Sequence, residues 1–117
     1  MMTLKDGKRF NDTAAFAACK AAEAQYKQAA NLGSVAWNTV YSTEAELIDD
    51  LKKVYIPQGR GPMGHCFQGY AYIYAFAFYV QKGWQLSPKQ MTQAKRLAVE
   101  IKKAVIASEY VTDKEAE

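Results

Sequence analysis

The chain carries one histidine, His65, beside one of its two cysteines, Cys66; the other is Cys19. An imidazole within hydrogen-bond reach of a thiol can take its proton and make a nucleophile. Adjacent residues on a helix point about a hundred degrees apart, however, so the pair is not a ready-made dyad. Cys19 falls on an apolar helical stripe and reads as a core thiol. Asp49-Asp50 reads as the solvated side of a helix rather than as an acid–base pair. Structural zinc takes about four nitrogen or sulfur ligands, which this chain cannot easily supply, so neither a metal nor another cofactor is expected. These residue types point away from an enzyme.

The other candidate chemistry is recognition. Residues Gln58–Gly64, QGRGPMG, hold three glycines and a proline in seven positions. Such a loop can aim backbone N–H groups at an anion, with Arg60 and the next helix N-terminus adding positive potential. It lacks the Gly-Lys-Ser/Thr ending of a P-loop, and a plain interhelical connection is the favoured reading. If the loop acts, Arg60, Lys52, Lys53 and His65 would form one basic patch. Tyr72 and Tyr79 at its rim would then stack on bases or on a protein partner; otherwise they bury their rings and bond through their hydroxyls. Lys82, Lys95 and Lys102 complete the set of candidate binding residues.

The elements that must position these side chains follow from pattern. At 117 residues, half of them hydrophobic and 23% charged, the chain fits one ordinary globular domain. The net charge of +3 allows contact with nucleic acid or an acidic protein without reaching the excess of dedicated nucleic-acid binders. No secretory apolar region opens the sequence, which makes a cytoplasmic location with reduced thiols the expectation. The Asp6-Gly7 step within 3–10 suits a short hairpin. Asn11-Asp12-Thr13 offers N-caps for a helix from Ala14 to Leu32, with Phe16, Cys19, Ala22, Tyr26 and Ala29 as its stripe and Gly33 as its stop. Residues 34–41 alternate as a short extended segment. Thr43 and Glu46 make a capping box for a second helix, whose apolar face is Leu47, Ile48, Leu51 and Val54 and which ends at Ile56-Pro57. Ser87-Pro88 with Gln90, and Leu86 with Met91, start a last helix running to about Tyr110. Its stripe is Met91, Ala94, Leu97, Ile101, Ala104 and Val105, with Lys89, Arg96 and Lys103 on another face.

Between them lies Gly69–Gly83, GYAYIYAFAFYVQKG, with six aromatic residues. A segment this apolar should be the centre around which the other elements pack, yet it is too short to span a membrane. As a strand, Tyr70, Tyr72, Tyr74, Phe76 and Phe78 share one face. As a helix, Phe67, Tyr70, Tyr74 and Phe78 line one side, while Tyr72, Tyr79 and Lys82 lie on a more polar one. Both periods fit. A lone strand leaves its backbone unsatisfied, and the capped helix that follows suggests an αα-hairpin, so helix is favoured. The expectation is a mainly α, four-helix single domain over residues 1–112 with a short N-terminal hairpin, a short extended segment at 34–41, and a flexible acidic tail at 113–117.

Within residues 76–98, Lys82, Gly83, Leu86, Ser87, Lys89 and Gln90 form a helix–KGxxLSxKQ–helix hairpin that resembles one found in many small phage-encoded proteins. The match is mostly capping chemistry. It implies a helical hairpin and a phage or mobile-element setting, and it brings no catalytic residue. Two functions remain. One is a non-enzymatic phage-type protein that binds a host protein or ribonucleoprotein complex and blocks it, as anti-defence or anti-CRISPR-like inhibitors do. The other is a mildly basic accessory protein that binds nucleic acid. A self-assembling structural subunit is a third reading.

Overall fold

In a computed structural model, residues 2–4, 7–26, 36–57 and 62–112 are described. Several expectations lie outside them: Asp6 of the hairpin turn, the helix stop at Gly33, Arg60 with loop residues 58–61, and the tail at 113–117. The fold is mainly helical. Its elements in order are β1 (Met2–Thr3), β2 (Arg9–Phe10), α1 (Asp12–Gln25), α2 (Ala36–Val40), α3 (Glu44–Lys53), a 3-10 turn (Pro62–His65), α4 (Tyr70–Gln81), α5 (Pro88–Arg96), α6 (Ala98–Ser108) and β3 (Val111–Thr112).

The N-terminal hairpin forms, with Met2 opposite Phe10 and Thr3 opposite Arg9. Gly7 takes the left-handed conformation at φ 86°. Two two-residue strands are marginal alone. A third, β3, pairs antiparallel with β2, so Phe10 lies opposite Val111. Phe10 is fully buried, and this small sheet pins the end of α6 to the start of α1, with Asn11 N–H donating to the Tyr110 carbonyl at 3.1 Å.

Capping chemistry sets the helix starts. Asn11 accepts from Ala14 N–H at 3.2 Å, Thr43 Oγ1 from Glu46 N–H at 3.2 Å, and Ser87 and Gln90 exchange the two bonds of a capping box. The Glu46 carboxylate reaches back to Ser42 N–H at 2.7 Å rather than to Thr43. Gln81, at the end of α4, donates to the Val54 and Leu51 carbonyls at 2.8 and 3.2 Å, satisfying orphan groups at the C-terminus of α3.

Six α-helical segments are present among the described residues, where the sequence suggests four. Residues Ala36–Val40 are helical rather than extended. Trp37 and Val40, three residues apart, both pack on the core, a spacing that suits one helical turn and not a strand. The last helix breaks at Leu97, whose ψ of 17° departs from the helical value. Leu97 lies over Gly69, so close that a Cβ there would stand 2.9 Å from Leu97 Cδ2. The first helix has its C-cap at Tyr26, and the expected stretch from 27 to 32 lies outside the described residues. Its buried residues are Ala15, Cys19 and Ala22, and Phe16 is exposed.

The aromatic segment is a helix, yet it is not the centre. The hub is α6, against which α1, α2, α3 and α4 all pack. It presents Ala98, Ile101, Ala104 and Ala107, all buried, and small residues let several helices approach closely. Helix α4 sits to one side on α3, α5 and α6. It buries Ile73, Tyr74, Phe76, Ala77 and Val80 and leaves Tyr72 and Phe78 exposed. The sequence pattern placed Phe78 with Tyr74, one turn back and about 40° around the helix; Tyr74 is covered by the core and Phe78 is not.

The buried Tyr74 hydroxyl has no hydrogen-bond partner. Tyr74→Phe is therefore expected to keep or raise stability by up to about 1 kcal/mol, whereas Tyr74→Ala loses about 3–5 kcal/mol, in urea titrations. Gly69 stands at φ 69°. Gly69→Ala should cost about 1–2 kcal/mol from the left-handed backbone before any displacement of Leu97.

Candidate functional site

Three places bring functional side chains together. The first is a cleft of about 440 Å³ between α1, the 3-10 turn and α6, lined by Phe16, Lys20, Glu23, His65, Cys66 and Lys103 among others. The His65 ring stacks on Phe16 at 6.1 Å and meets Phe10 edge-on at 6.4 Å. Its Nε2 lies 3.8 Å from Cys66 Sγ. Burial pushes the Cys66 thiol up, away from the thiolate that a nucleophile needs. Cys19 Sγ donates to the Lys103 carbonyl at 3.3 Å, and burial, with the nearby Cys66 next, pushes its thiol up to about 12.

Lys103 forms the cleft's inner wall. The sequence pattern places it off the apolar stripe, with Lys89 and Arg96, but it is buried, and its ammonium pairs with Glu23 at 3.0 Å and Glu100 at 3.2 Å. Burial opposes its charge, and the two carboxylates outweigh that cost and hold it above the usual lysine range. Lys103 in turn holds Glu23 below the usual carboxylate range, chiefly by hydrogen bonding.

A second cluster centres on Asp50. It is buried rather than solvated. Tyr41 donates to its Oδ2 at 2.6 Å, and Lys102 approaches the same oxygen at 3.1 Å. Burial and the Asp50 carboxylate push the Tyr41 phenol up. Lys102 also lies 4.9 Å over the Tyr41 ring. Lys53 stands 3.6 Å from Asp50, and Lys52 is 4.0 Å from Asp49. Lys95 pairs with Glu44 at 2.8 Å and covers the Trp37 ring at 4.7 Å. Lys95 and Lys102 therefore tie the last helices to α2 and α3, each beside a carboxylate.

The third place is the outer face of α4 with the turn after it. Tyr72 and Trp84 are each 57% exposed and Phe78 is 42% exposed. Trp84 meets Phe78 at 6.0 Å and Tyr79 at 5.8 Å, and Lys82 lies 5.4 Å over the Phe78 ring. Beside this ridge runs a groove of about 330 Å³ lined by Ile48, Lys52, Val80, Trp84, Leu86 and Met91, with no acidic side chain in its wall. Of the sequence candidates, Tyr79, Lys82 and Lys52 come together around Trp84, and Tyr72 is exposed further along the same helix, against Phe76. His65 belongs to the first cleft, Lys53, Lys95 and Lys102 to the polar ties, and Arg60 lies outside the described residues, so they form no single patch among those residues. Sequence reasoning missed Phe78 and Trp84. The seven-residue step from Tyr72 to Tyr79 and the Trp just beyond the Gly83 stop are the signals that mark this ridge.

Among the described residues, no group of three or more His, Cys, Asp or Glu side chains stands where it could hold a metal ion. No helix among them is long and apolar enough to cross a membrane. No protein family, curated protein or solved structure matches the chain.

Cys19, Cys66 and Lys103 all hold their protons more tightly than usual. Their contribution to stability is complete below the ordinary thiol range. It is lost as the unfolded chain deprotonates and the folded chain does not. The urea midpoint should thus fall steadily from about pH 9 to about pH 12, and Cys19→Ala should make that slope shallower.

Proposed function

We propose that this chain is a non-enzymatic binding protein whose working surface is the Tyr72, Phe78, Tyr79 and Trp84 ridge with its adjoining groove. The observation that carries the reading is the exposure of three large aromatic side chains, Tyr72 and Phe78 on α4 and Trp84 in the turn after it. A chain that leaves such rings in water while burying Asp50 and Lys103 forgoes stabilisation that a partner would restore, and aromatic residues are the side chains most enriched at binding hot spots. The groove is apolar, and its charged wall residue is the cation Lys52, with Lys82 on the nearby ridge. The partner that fits is a protein segment presenting apolar side chains flanked by carboxylates. The phage-type hairpin supplies the setting: a small protein that occupies a surface of a host complex and blocks it, in the manner of anti-defence inhibitors. The nucleic-acid reading draws less support, because Lys95 and Lys102 each sit on a carboxylate.

The test compares the tagged parent with Trp84→Ala in a host extract, with bound proteins identified by mass spectrometry and their affinity then measured with the purified partner. Trp84→Ala is expected to weaken binding by roughly thirtyfold or more, about 2 kcal/mol, while the unfolding midpoint stays near the parent's. Binding that falls steeply with salt and is indifferent to Trp84 would instead favour the nucleic-acid reading. A discrete oligomer dispersed by the same substitution would identify a second copy of the chain as the occupant.

A further inference from the structure

The first cleft holds a ring, a cation and an anion on one face of one helix. Phe16, Lys20 and Glu23 of α1 all line it, and steps of four and three residues set them in one row. Phe16 is 41% exposed there, although it is a large apolar side chain, and the His65 ring stacks on it. The rest of the lining is the run of residues 64–70 with Lys103. None of these residues lines the groove beside Trp84.

The two charges on α1 are held apart from each other. The buried Lys103 ammonium anchors Glu23 through one carboxylate oxygen at 3.0 Å, and the Glu23 side chain is still 54% exposed. Lys20, one turn away, does not close on it. Among the described residues the Lys20 ammonium makes no ion pair and lies over the Phe16 ring at 5.3 Å, a weak contact at an exposed site. Lys103 also pairs with Glu100 at 3.2 Å, so Lys20, Lys103, Glu23 and Glu100 together carry no net charge.

We propose that this cleft binds a free aromatic α-amino acid, with its ring on Phe16, its carboxylate on Lys20 and its ammonium on the second carboxylate oxygen of Glu23. The ligand takes the place of the Lys20 ammonium on the Phe16 ring and gives each a stronger partner: ring meets ring, and ammonium meets carboxylate in a charge-assisted hydrogen bond. The volume of about 440 Å³ lies in the range of small-molecule sites. A simple anion would gain Lys20 but stand beside Glu23, and a simple cation would gain Glu23 but stand beside Lys20. The pair therefore selects a ligand that carries both charges.

The nitrogen-15-labelled full chain is titrated with L-phenylalanine, and with 3-phenylpropionate, phenethylamine and L-leucine, which lack the ammonium, the carboxylate and the ring in turn. Phenylalanine is expected to give saturable amide shifts within residues 16–23 and 64–70, and each analogue to bind about tenfold more weakly or worse. Lys20→Met should bring phenylalanine and phenethylamine to the same affinity, and Glu23→Gln should do so for phenylalanine and 3-phenylpropionate. The absence of saturable shifts with phenylalanine, or shifts centred outside the cleft, overturns the proposal. Equal affinity of the parent for phenylalanine and any one of the three analogues does so as well. The ligand series on the parent decides the matter alone if a variant fails to fold.

Discussion

The structure depends on the close approach of helices to α6. Ala98, Ala104 and Ala107 give that helix a surface with little side-chain bulk, and α1, α2, α3, α4 and α5 all reach it. The helix with the most aromatic surface is displaced to one flank, where it packs on α3, α5 and α6 and buries Ile73, Tyr74, Phe76, Ala77 and Val80. The exposed ridge of Tyr72, Phe78 and Trp84 follows from that displacement. So does the need for Gln81 to cap α3, which fixes α4 by a polar tie where apolar cover is incomplete.

The same hub arranges the buried charges. Lys102 and Lys103 are neighbours on α6 and point to different sides of it. Lys103 meets Glu23 of α1, and Lys102 meets Asp50 of α3. A buried ion pair rarely adds much stability over an apolar pair, but breaking one partner leaves a costly charge. Here the pairs define which helix faces which side of α6. They also remove positive charge from the surface, which is why a mildly basic composition yields no broad cationic face built on the last helix.

Much of the local structure was legible because it rests on local chemistry. The caps at Asn11, Thr43 and Ser87, the hairpin at Gly7 and the helical state of the aromatic segment all follow from residues within a turn of one another. The misreadings share a cause in long-range contact. Ala36–Val40 alternates like a strand but coils against α6. Leu97 interrupts the last helix, and it is there that Leu97 closes on Gly69. Val111–Thr112 becomes a strand because β2 offers an edge. Asp50 looks solvated by periodicity and Lys103 lies off the apolar stripe, and both are buried by partners many residues away. The candidate site was legible in Tyr72, Tyr79 and Lys82, which share an outward face. Phe78 and Trp84 were not, because only the packing of α4 shows which of its aromatic sides is left uncovered.

The central claim is that this uncovered side is where a partner sits. It is tested most directly by photocrosslinking in the cell that produces the chain, with a benzophenone side chain placed at position 72 or 84, and at position 24 on α1 as a control. The account predicts a discrete adduct to one protein from positions 72 and 84 and none from position 24. Adducts from position 24 alone, or none from positions 72 and 84, would contradict it.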